Sequence, residues 1–402
     1  MKEGQKRLML LGGLRYLIPV IEAAHKAGYY VITCDYLPDN IAHKYSDEYC
    51  NVSITDKEAV LQAAKERKID GIMSFAVDPG VTTAAYVQEK LALPGNPYES
   101  VLILQNKDRF RKFLAENGFN TPSAYSFCSM EEAMQRREEL PYPVIVKPTD
   151  SAGSKGVTRA DTPSMLEEAL CNAFRYSHSG NIIIEQFIEK QGCSSDTDCF
   201  SVDGKLRFVS FSAQRFDINA ANPYTPSAYS WPSTMTQEQE AYLTSEIQRL
   251  LTLLGMRTSI YNIETRIGQD GKAYIMEVSP RGGGNRLSEM LRYATGTDLI
   301  ENAIRSAVGD PLVDLEQRPY NGHWAEIILH AENNGMFEDL HIAEHLKKYI
   351  VETDIWVNRG DYVECFNGAN NAIGTLVMKF DSDTMLENCL SDISGWMKVV
   401  VK

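Results

Sequence analysis

Residues 261–281 hold two glutamates, a serine and an arginine at spacings that could bind a metal ion and an anion. Asp270-Gly271 between two strand-like runs is a hairpin signal. With those two as the turn, Gln269 pairs with Lys272, and counting back sets Glu264 opposite Glu277. Two carboxylates facing each other across a ladder repel, and the neighbouring Ile263, Ile275, Met276 and Val278 would deprive them of water. A divalent cation between them resolves the conflict. Hard oxygen ligands suit magnesium, which takes one or two carboxylates and completes its shell with water and phosphate. Alternation along the strand puts Ser279 and Arg281 on the face of Glu277. A register shifted by one residue removes the pairing, so the pattern by itself admits both a metal site and a solvated acidic face.

Two further segments carry weaker signals. The apolar run Pro143-Val144-Ile145-Val146-Lys147 delivers one ammonium to the end of a strand. The Gly/Ser-rich stretch that follows, with Ser151, Gly153, Ser154, Gly156 and Val157, can bring backbone N–H groups close to phosphate oxygens. It lacks P-loop spacing. The run from Ile182 to Glu189 reads as a strand passing into a connector whose backbone is open to an adenine edge.

These segments need a scaffold. Strand-like runs at 7–12, 29–35 and 71–75 alternate with helical patterns at 16–27 and 56–68, which predicts a parallel sheet with helices on its faces. A turn at 93–97 marks a boundary. Beyond it the pattern predicts helices at 106–118, 164–176 and 237–254, strands at 142–147 and 181–187, and a hairpin over 201–212 turning at Asp203-Gly204. The last eighty or so residues mix both patterns and carry no interpretable motif. At 402 residues the chain is too long for one core. Its net charge of −14, with scattered Lys and Arg, argues against a nucleic-acid or anionic-membrane surface. No apolar stretch is long enough to span a bilayer, and the start does not read as a signal peptide. The eight cysteines have no metal-ligand spacing and read as reduced thiols of a cytoplasmic protein.

In this order the segments resemble the ATP-grasp superfamily, over the chain from its first strand to about residue 310. The fold class implied is α/β and α+β: a Rossmann-like preATP-grasp domain (1–98), a small lid subdomain (99–184), a subdomain carrying the metal site (185–315) and a small C-terminal α/β domain (316–402). The resemblance implies ATP and magnesium as cofactors, with manganese as an alternative ion. Lys107, opening a helix after Asn106, is similar to the family's first nucleotide lysine and Lys147 to the second. Residues 151–157 resemble the loop that closes over the triphosphate. Glu185, Gln186, Phe187 and Ile188 would form the adenine hinge, and Glu264, Glu277 and Ser279 would hold the metal. Arg281 would steady the acyl-phosphate transition state, with Lys147 assisting.

Two departures stand out. Serine at 279 replaces a common asparagine, although Glu-Val-Ser-Pro-Arg is similar to the formate-dependent glycinamide ribonucleotide transformylases. The ribose glutamate is missing, and Asp196 or Asp198 is the substitute. Gly282, Gly283 and Gly284, followed by Asn285 and Arg286, read as an acyl-phosphate or substrate-carboxylate site, or as a flexible connection. Arg215 is a further candidate for the same cavity.

The implied activity is an ATP-dependent carboxylate–amine (or thiol) ligase working through an acyl phosphate and giving ADP and phosphate. Alternatives are a purine-pathway or carbamoyl-phosphate-like enzyme activating formate, bicarbonate or glycine, and a catalytically silent nucleotide-binding regulator. Expected partners are small carboxylates and amines or thiols, with a homodimer left open. Three weaker signals carry no assignment: Gly12-Gly13 lacks the dinucleotide glycine pattern, His341 and His345 lie four apart on an expected helix with no further ligand, and Asp78-Pro79 ends an expected strand.

Overall fold

Four short apolar runs at the start of the chain pair side by side, as their near-continuous hydrophobicity demands of strands buried on both faces. The computed structural model describes residues 4–150 and 155–402. Strands β1 (Arg7–Leu11), β2 (Tyr30–Cys34), β3 (Glu48–Cys50) and β4 (Gly71–Ser74) form a parallel sheet in the order β3-β2-β1-β4. Helices α1 (Ile18–Lys26), α2 (Lys57–Arg67) and α3 (Val81–Leu91) connect them and lead onward. After β4 the chain makes a sharp corner, with Ala76 at a φ of 56°, and its N–H donates to the carbonyl of Gly282, 2.9 Å away.

Helices α4 (Tyr98–Gln105) and α5 (Lys107–Glu116) meet at Asn106, whose extended backbone ends one helix and whose side chain caps the next by accepting from Arg109 N. The next unit is an antiparallel sheet ordered β5-β8-β6-β7, built from β5 (Ala124–Phe127), β6 (Val144–Pro148), β7 (Thr158–Ala160) and β8 (Ile182–Gln186). Helices α6 (Met130–Gln135) and α7 (Leu166–Tyr176) bury Ala133, Leu166, Leu170 and Ala173 against it.

The third sheet runs β10-β9-β13-β14. Its strands are β9 (Ser195–Val202), β10 (Lys205–Phe208), β13 (Ser259–Ile267) and β14 (Ala273–Ser279). The β9–β10 turn is Asp203-Gly204, with both residues at positive φ as a tight two-residue hairpin requires. Helix α8 (Gln237–Leu253) opens with a capping box, Thr236 and Gln239, and packs Leu243, Ile247, Leu250 and Leu251 against one face of this sheet. The other face is polar and carries the residues of interest.

Strands β11 (Ala213–Phe216) and β12 (Pro226–Trp231), not foreseen from the pattern, leave the third unit. They join β15 (His323–Leu329), β17 (Ile350–Ile355) and β19 (Gly374–Phe380) in a sheet ordered β11-β12-β15-β19-β17. That sheet draws strands from both sides of residue 316. Helices α9 (Leu287–Thr295) and α10 (Leu299–Ala307) lie between it and the first unit, so Met290, Leu291 and Ile304 share one core with Leu8, Leu10 and Trp324. A small sheet ordered β18-β16-β20 and helix α11 (Asp383–Leu390) complete the chain, with β16 at Gly335–Ile342, β18 at Tyr362–Val363 and β20 at Met397–Val401. His341 lies in β16 and His345 in a following 3-10 turn, so the two do not share a helix face; His341 pairs with Asp339 instead. Among the described residues no helix is long and apolar enough to cross a membrane.

Candidate active site

Glu264 and Glu277 face each other in the β13–β14 ladder. The sequence reaches this pairing through two departures that cancel. The turn is wider than Asp270-Gly271: Gly268 N bonds Lys272 O at 2.8 Å, and Gln269 N is drawn away to Glu189 O. Ile267 therefore pairs with Ala273, one residue off the expected register. Between Thr265↔Ile275 and Glu264↔Glu277 the extra residue is Met276, a β-bulge that restores the count. The bulge also keeps Ile275 in the α8-facing core while turning Glu277 to the opposite face.

That face gathers more acid than the motif predicts. In register, Asp196 lies opposite Glu264, and Asp198 opposite Asn262. Asn262 Nδ2 donates to Asp196 Oδ1 at 2.7 Å, and Gly283 N to Asp198 Oδ1 at 2.8 Å; the Ser288 hydroxyl donates to Asp198 Oδ2. Burial pushes Asp196 up to about 7, with Glu264 adding, and pushes Asp198 up to about 6 against its hydrogen bonds. Burial likewise raises Glu264, opposed by the Arg266 guanidinium 3.7 Å away and reinforced by Glu277. Asp196 thus sits beside the metal-type carboxylates rather than beside the connector after β8. Among the described residues no three or more His, Cys, Asp or Glu side chains surround one point as a metal shell would. An ion at Glu264 and Glu277 has to take further ligands from phosphate and water, which is magnesium's habit.

Ser279 and Arg281 follow on the same face, and both are held by Asp78 of the first unit. Arg281 Nε and Nη2 grip the two Asp78 oxygens at 2.9 and 2.8 Å, and Ser279 Oγ donates to Oδ1 at 3.0 Å. Burial works to raise Asp78, yet the Arg281 charge wins and holds it below the usual carboxylate range. Ser279 also accepts from Gln105 Nε2 at 3.0 Å. Its hydroxyl is therefore committed to protein groups rather than turned to the Glu264–Glu277 pair. The only sequence trace of this clamp is Asp78-Pro79 at the end of a strand; its partner is two hundred positions away and invisible to local pattern.

The cationic side is assembled by α5, β6 and β8. Lys107 opens α5, with Nζ 3.8 Å from Glu277 Oε1. One turn on, Arg111 bonds Glu185 Oε1 at 2.8 Å, and Lys147 Nζ lies 2.6 Å from Glu185 Oε2. Glu185 is 1% exposed, and although burial raises it, Arg111 and Lys147 hold it down to about 2. Burial pulls Lys147 below the ordinary lysine range, with Glu185 opposing. Arg111 Nη1 is buried with no partner among the described residues. Arg111 sits four residues after Lys107, a spacing that places both on one helix face.

The connector corrects one expectation. The N–H groups of Gln186 and Phe187 go to Ser123 O and Pro143 O, both at 2.8 Å, and Ile188 O accepts from Arg266 at 3.0 Å. The lid sheet and β13 claim these three groups, which narrows the expected hinge over 185–188 to its remaining backbone groups, the Ile188 N–H among them. Phe187 instead offers its ring, with the Arg159 guanidinium 4.3 Å from its centroid. Ser151, Gly153 and Ser154 lie outside the described residues; Gly156 packs between Pro148 and Tyr176, with Val157 next to it.

Packing requires the first two glycines of the run. A Cβ on Gly282 would lie 2.2 Å from the Phe75 ring, and one on Gly283 2.6 Å from Leu287 Cδ1 and 2.8 Å from Asn262 Nδ2. Gly284 meets nothing nearer than 3.9 Å. Asn285 and Arg286 then turn through positive φ of 49° and 55°. Arg215 does not join this cavity. Along β11 its neighbour Gln214 faces Asp196, so Arg215 points to the other face, where it pairs with Glu387.

Residues 140–289 match the ATP-grasp domain family. Among curated proteins, the carbamoyl phosphate synthase large chain of Thermotoga petrophila is 26% identical over 299 residues, covering 73% of this chain and 27% of that protein. The chain thus spans little more than a quarter of the length of such relatives. Among solved structures, an L-amino acid ligase from Bacillus licheniformis superposes with a TM-score of 0.82 at 22% identity, covering 100% of both chains. The phosphoribosylglycinamide synthetase of Anaerococcus prevotii gives a TM-score of 0.75 at 20% identity, covering 99% of this chain and 100% of that one.

Proposed function

Since the chain belongs to the ATP-grasp superfamily, we propose that it is an ATP- and magnesium-dependent ligase, which activates a carboxylate as an acyl phosphate and passes it to an amine or thiol with release of ADP and phosphate. The observation that carries this reading is the facing pair Glu264–Glu277 with Lys107 beside it and Lys147 and Arg111 on the adjoining wall. Raised by burial, Glu264 suits a cation; the buried Arg111 Nη1, without a partner among the described residues, suits an anion, with Lys107 and Lys147 nearby, each already beside a carboxylate. A metal–polyphosphate meets both needs at once. Bound magnesium and ATP would supply a neutralised γ-phosphoryl group for in-line transfer to the carboxylate.

This chain's own groups then divide the work. Lys107 and Lys147 hold fixed positive charge where phosphate charge develops. Glu185 and Arg111 orient Lys147. Arg281, set in position by Asp78, faces the acid-binding side, and Gly282–284 allow close backbone approach there. Asp196 belongs in this reading to the acceptor side rather than to ribose. The name of the ligase that superposes over its whole length favours amino acids as the first carboxylates to try. The dispersed thiols and scattered basic residues support a cytoplasmic enzyme.

The test is magnesium-dependent ADP release by the purified chain against carboxylates crossed with amines, amino acids and thiols. ADP appearing only with a particular acid–nucleophile pair supports the ligase and identifies its substrates. Binding of Mg-ATP with no release across a broad matrix supports the silent regulator, and failure to bind Mg-ATP sinks the assignment.

A further inference from the structure

Arg266 stands on the polar face of β13, two residues after Glu264, and each of its three nitrogens has a partner. Nε donates to Ser194 Oγ at 3.1 Å, Nη1 donates to Ile188 O at 3.0 Å, and Nη2 lies 3.7 Å from Glu264 Oε1. The first two contacts are on the connector between β8 and β9, one near its start and one near its end. The third is on the metal-type pair. Among the described residues it is the one ion pair that Glu264 makes. At that distance it is an attraction between charges and not a hydrogen bond, so the guanidinium is shared unequally, with its bonds on the connector.

The connector joins the lid sheet to the central sheet, so what fixes the connector fixes the lid. Its backbone runs beside the β13–β14 turn: Gln269 N donates to Glu189 O and Gln191 N to Ile267 O, both at 2.8 Å, and Lys190 bridges to Gly268. From the lid's edge strand β7, Arg159 reaches the Glu189 carboxylate at 2.7 Å. Of these ties to the connector, Arg266 alone also reaches the metal-type pair. Its own backbone is held in the ladder opposite Tyr274. Any response at Arg266 is therefore a movement of the side chain and not of the strand.

We infer that Arg266 is a positioning residue that couples the lid to the metal-type pair. While Glu264 has no other cation its charge draws the guanidinium off the connector, and once Glu264 is engaged by a divalent ion the guanidinium belongs to Ile188 O and Ser194 Oγ, which it then holds still. The inference rests on the ligase reading, whose metal pair it uses, and adds the route by which filling that pair steadies the lid. Two substitutions separate the parts of the role. Lysine keeps the charge but offers no rigid fork for two acceptors, and methionine removes charge and fork while keeping an unbranched chain.

The test compares metal-free ADP with preformed Mn-ADP in the full chain, by calorimetric titration and by hydrogen exchange over residues 187–194. In the parent, connector amides should exchange at least about fivefold more slowly with Mn-ADP than with metal-free ADP. In Arg266→Met and Arg266→Lys that difference should vanish. The ratio of Mn-ADP to metal-free ADP affinity should rise about threefold to tenfold in Arg266→Met, because a positive charge beside Glu264 no longer opposes the ion. Arg266→Lys should keep the parent's ratio. An unchanged or lower ratio in Arg266→Met, or a connector difference that persists in it, would overturn the inference; a residue needed only for folding would weaken both forms alike and leave the ratio where it was. Mn-ADP that binds the parent without slowing the connector defeats the coupling and leaves the ligase reading standing. A parent that binds neither form defeats the ligase reading itself.

Discussion

Two regions of the molecule, here called its two walls, treat buried charge in opposite ways. On the α5–β6–β8 side, Glu185 lies between Arg111 and Lys147 and is held ionised, down at about 2. On the β11–β12–β15 side, neither Glu326 oxygen nor Gln214 Oε1 has a hydrogen-bond partner among the described residues. The first side matches its buried carboxylate with two cations before any ligand arrives and leaves over only Arg111 Nη1, which has no partner among the described residues. The second leaves its carboxyl unmatched among those residues.

The largest effects should come from the groups between the walls. Glu277→Gln removes a carboxylate from the facing pair, and Arg281→Ala removes the guanidinium that Asp78 holds. Each is expected to lower turnover by about a thousandfold or more, the scale of losing a fixed electrostatic group at a reacting centre, with unchanged far-UV circular dichroism. Near-normal ADP release in either variant would remove the core of the assignment. Asp78→Asn keeps the shape but loses the charge on the Arg281 fork, so kcat should fall about tenfold to a hundredfold with little change in the KM for ATP. Asp78→Glu should recover less than the parent; equal loss of both parameters would point to a folding defect.

Breaking the walls themselves should move stability in opposite directions. Glu185→Leu strands Arg111 and Lys147 as buried like charges, and the expected loss is about 3–5 kcal/mol. Glu326→Leu removes an unpartnered carboxyl from mid-sheet and should stabilise the ligand-free chain by about 1–2 kcal/mol, raising Tm by a few degrees. Denaturant titration of both variants checks the contrast. Destabilisation by Glu326→Leu would mean that the carboxyl has a partner in solution, and the two walls would no longer differ.

How much of this was legible depended on distance along the chain. The Glu264–Glu277 pairing is a hairpin property, and it was found even though the turn is one residue wider, because the Met276 bulge compensates. Lys107 and Lys147 stand at the start of a helix and the end of a strand, both readable from local pattern. Arg215 was placed on the wrong side, because alternation fixes a face only when the strand's partners are known, and β11 pairs with β12 rather than with the preceding hairpin. The Asp78–Arg281 clamp and the Gln214–Tyr229–Glu326 row join residues 203 and about a hundred positions apart, where no sequence period reaches. In the connector after β8, the groups that hold Gln186 N, Phe187 N and Ile188 O are Ser123, Pro143 and Arg266, which come from three other parts of the chain.

The smallest effect, and the one that compares the walls in a single experiment, is the pH dependence of stability. Glu185 is ionised more readily in the fold than in the unfolded chain, so its contribution is present above the unfolded value of about 4.3 and is lost as pH falls towards about 2. Asp198 and Glu326 run the other way. Their folded carboxyls keep protons that the unfolded chain has released, Asp198 up to about 6, while burial raises Glu326 well above the usual carboxylate range. Stability therefore falls as pH rises from about 4 through 6 and, with Asp196, on to about 7, Glu326 adding in the same direction. The ligand-free chain should melt at a higher temperature near pH 5 than near pH 8. Glu326→Leu should make the alkaline limb shallower, with the Asp196 and Asp198 share remaining, and leave the acid limb intact, whereas Glu185→Gln should reduce only the acid limb. Scanning calorimetry across that range reads both slopes; an alkaline limb unchanged by Glu326→Leu would show that this carboxyl titrates normally and that the second wall holds no unmet charge.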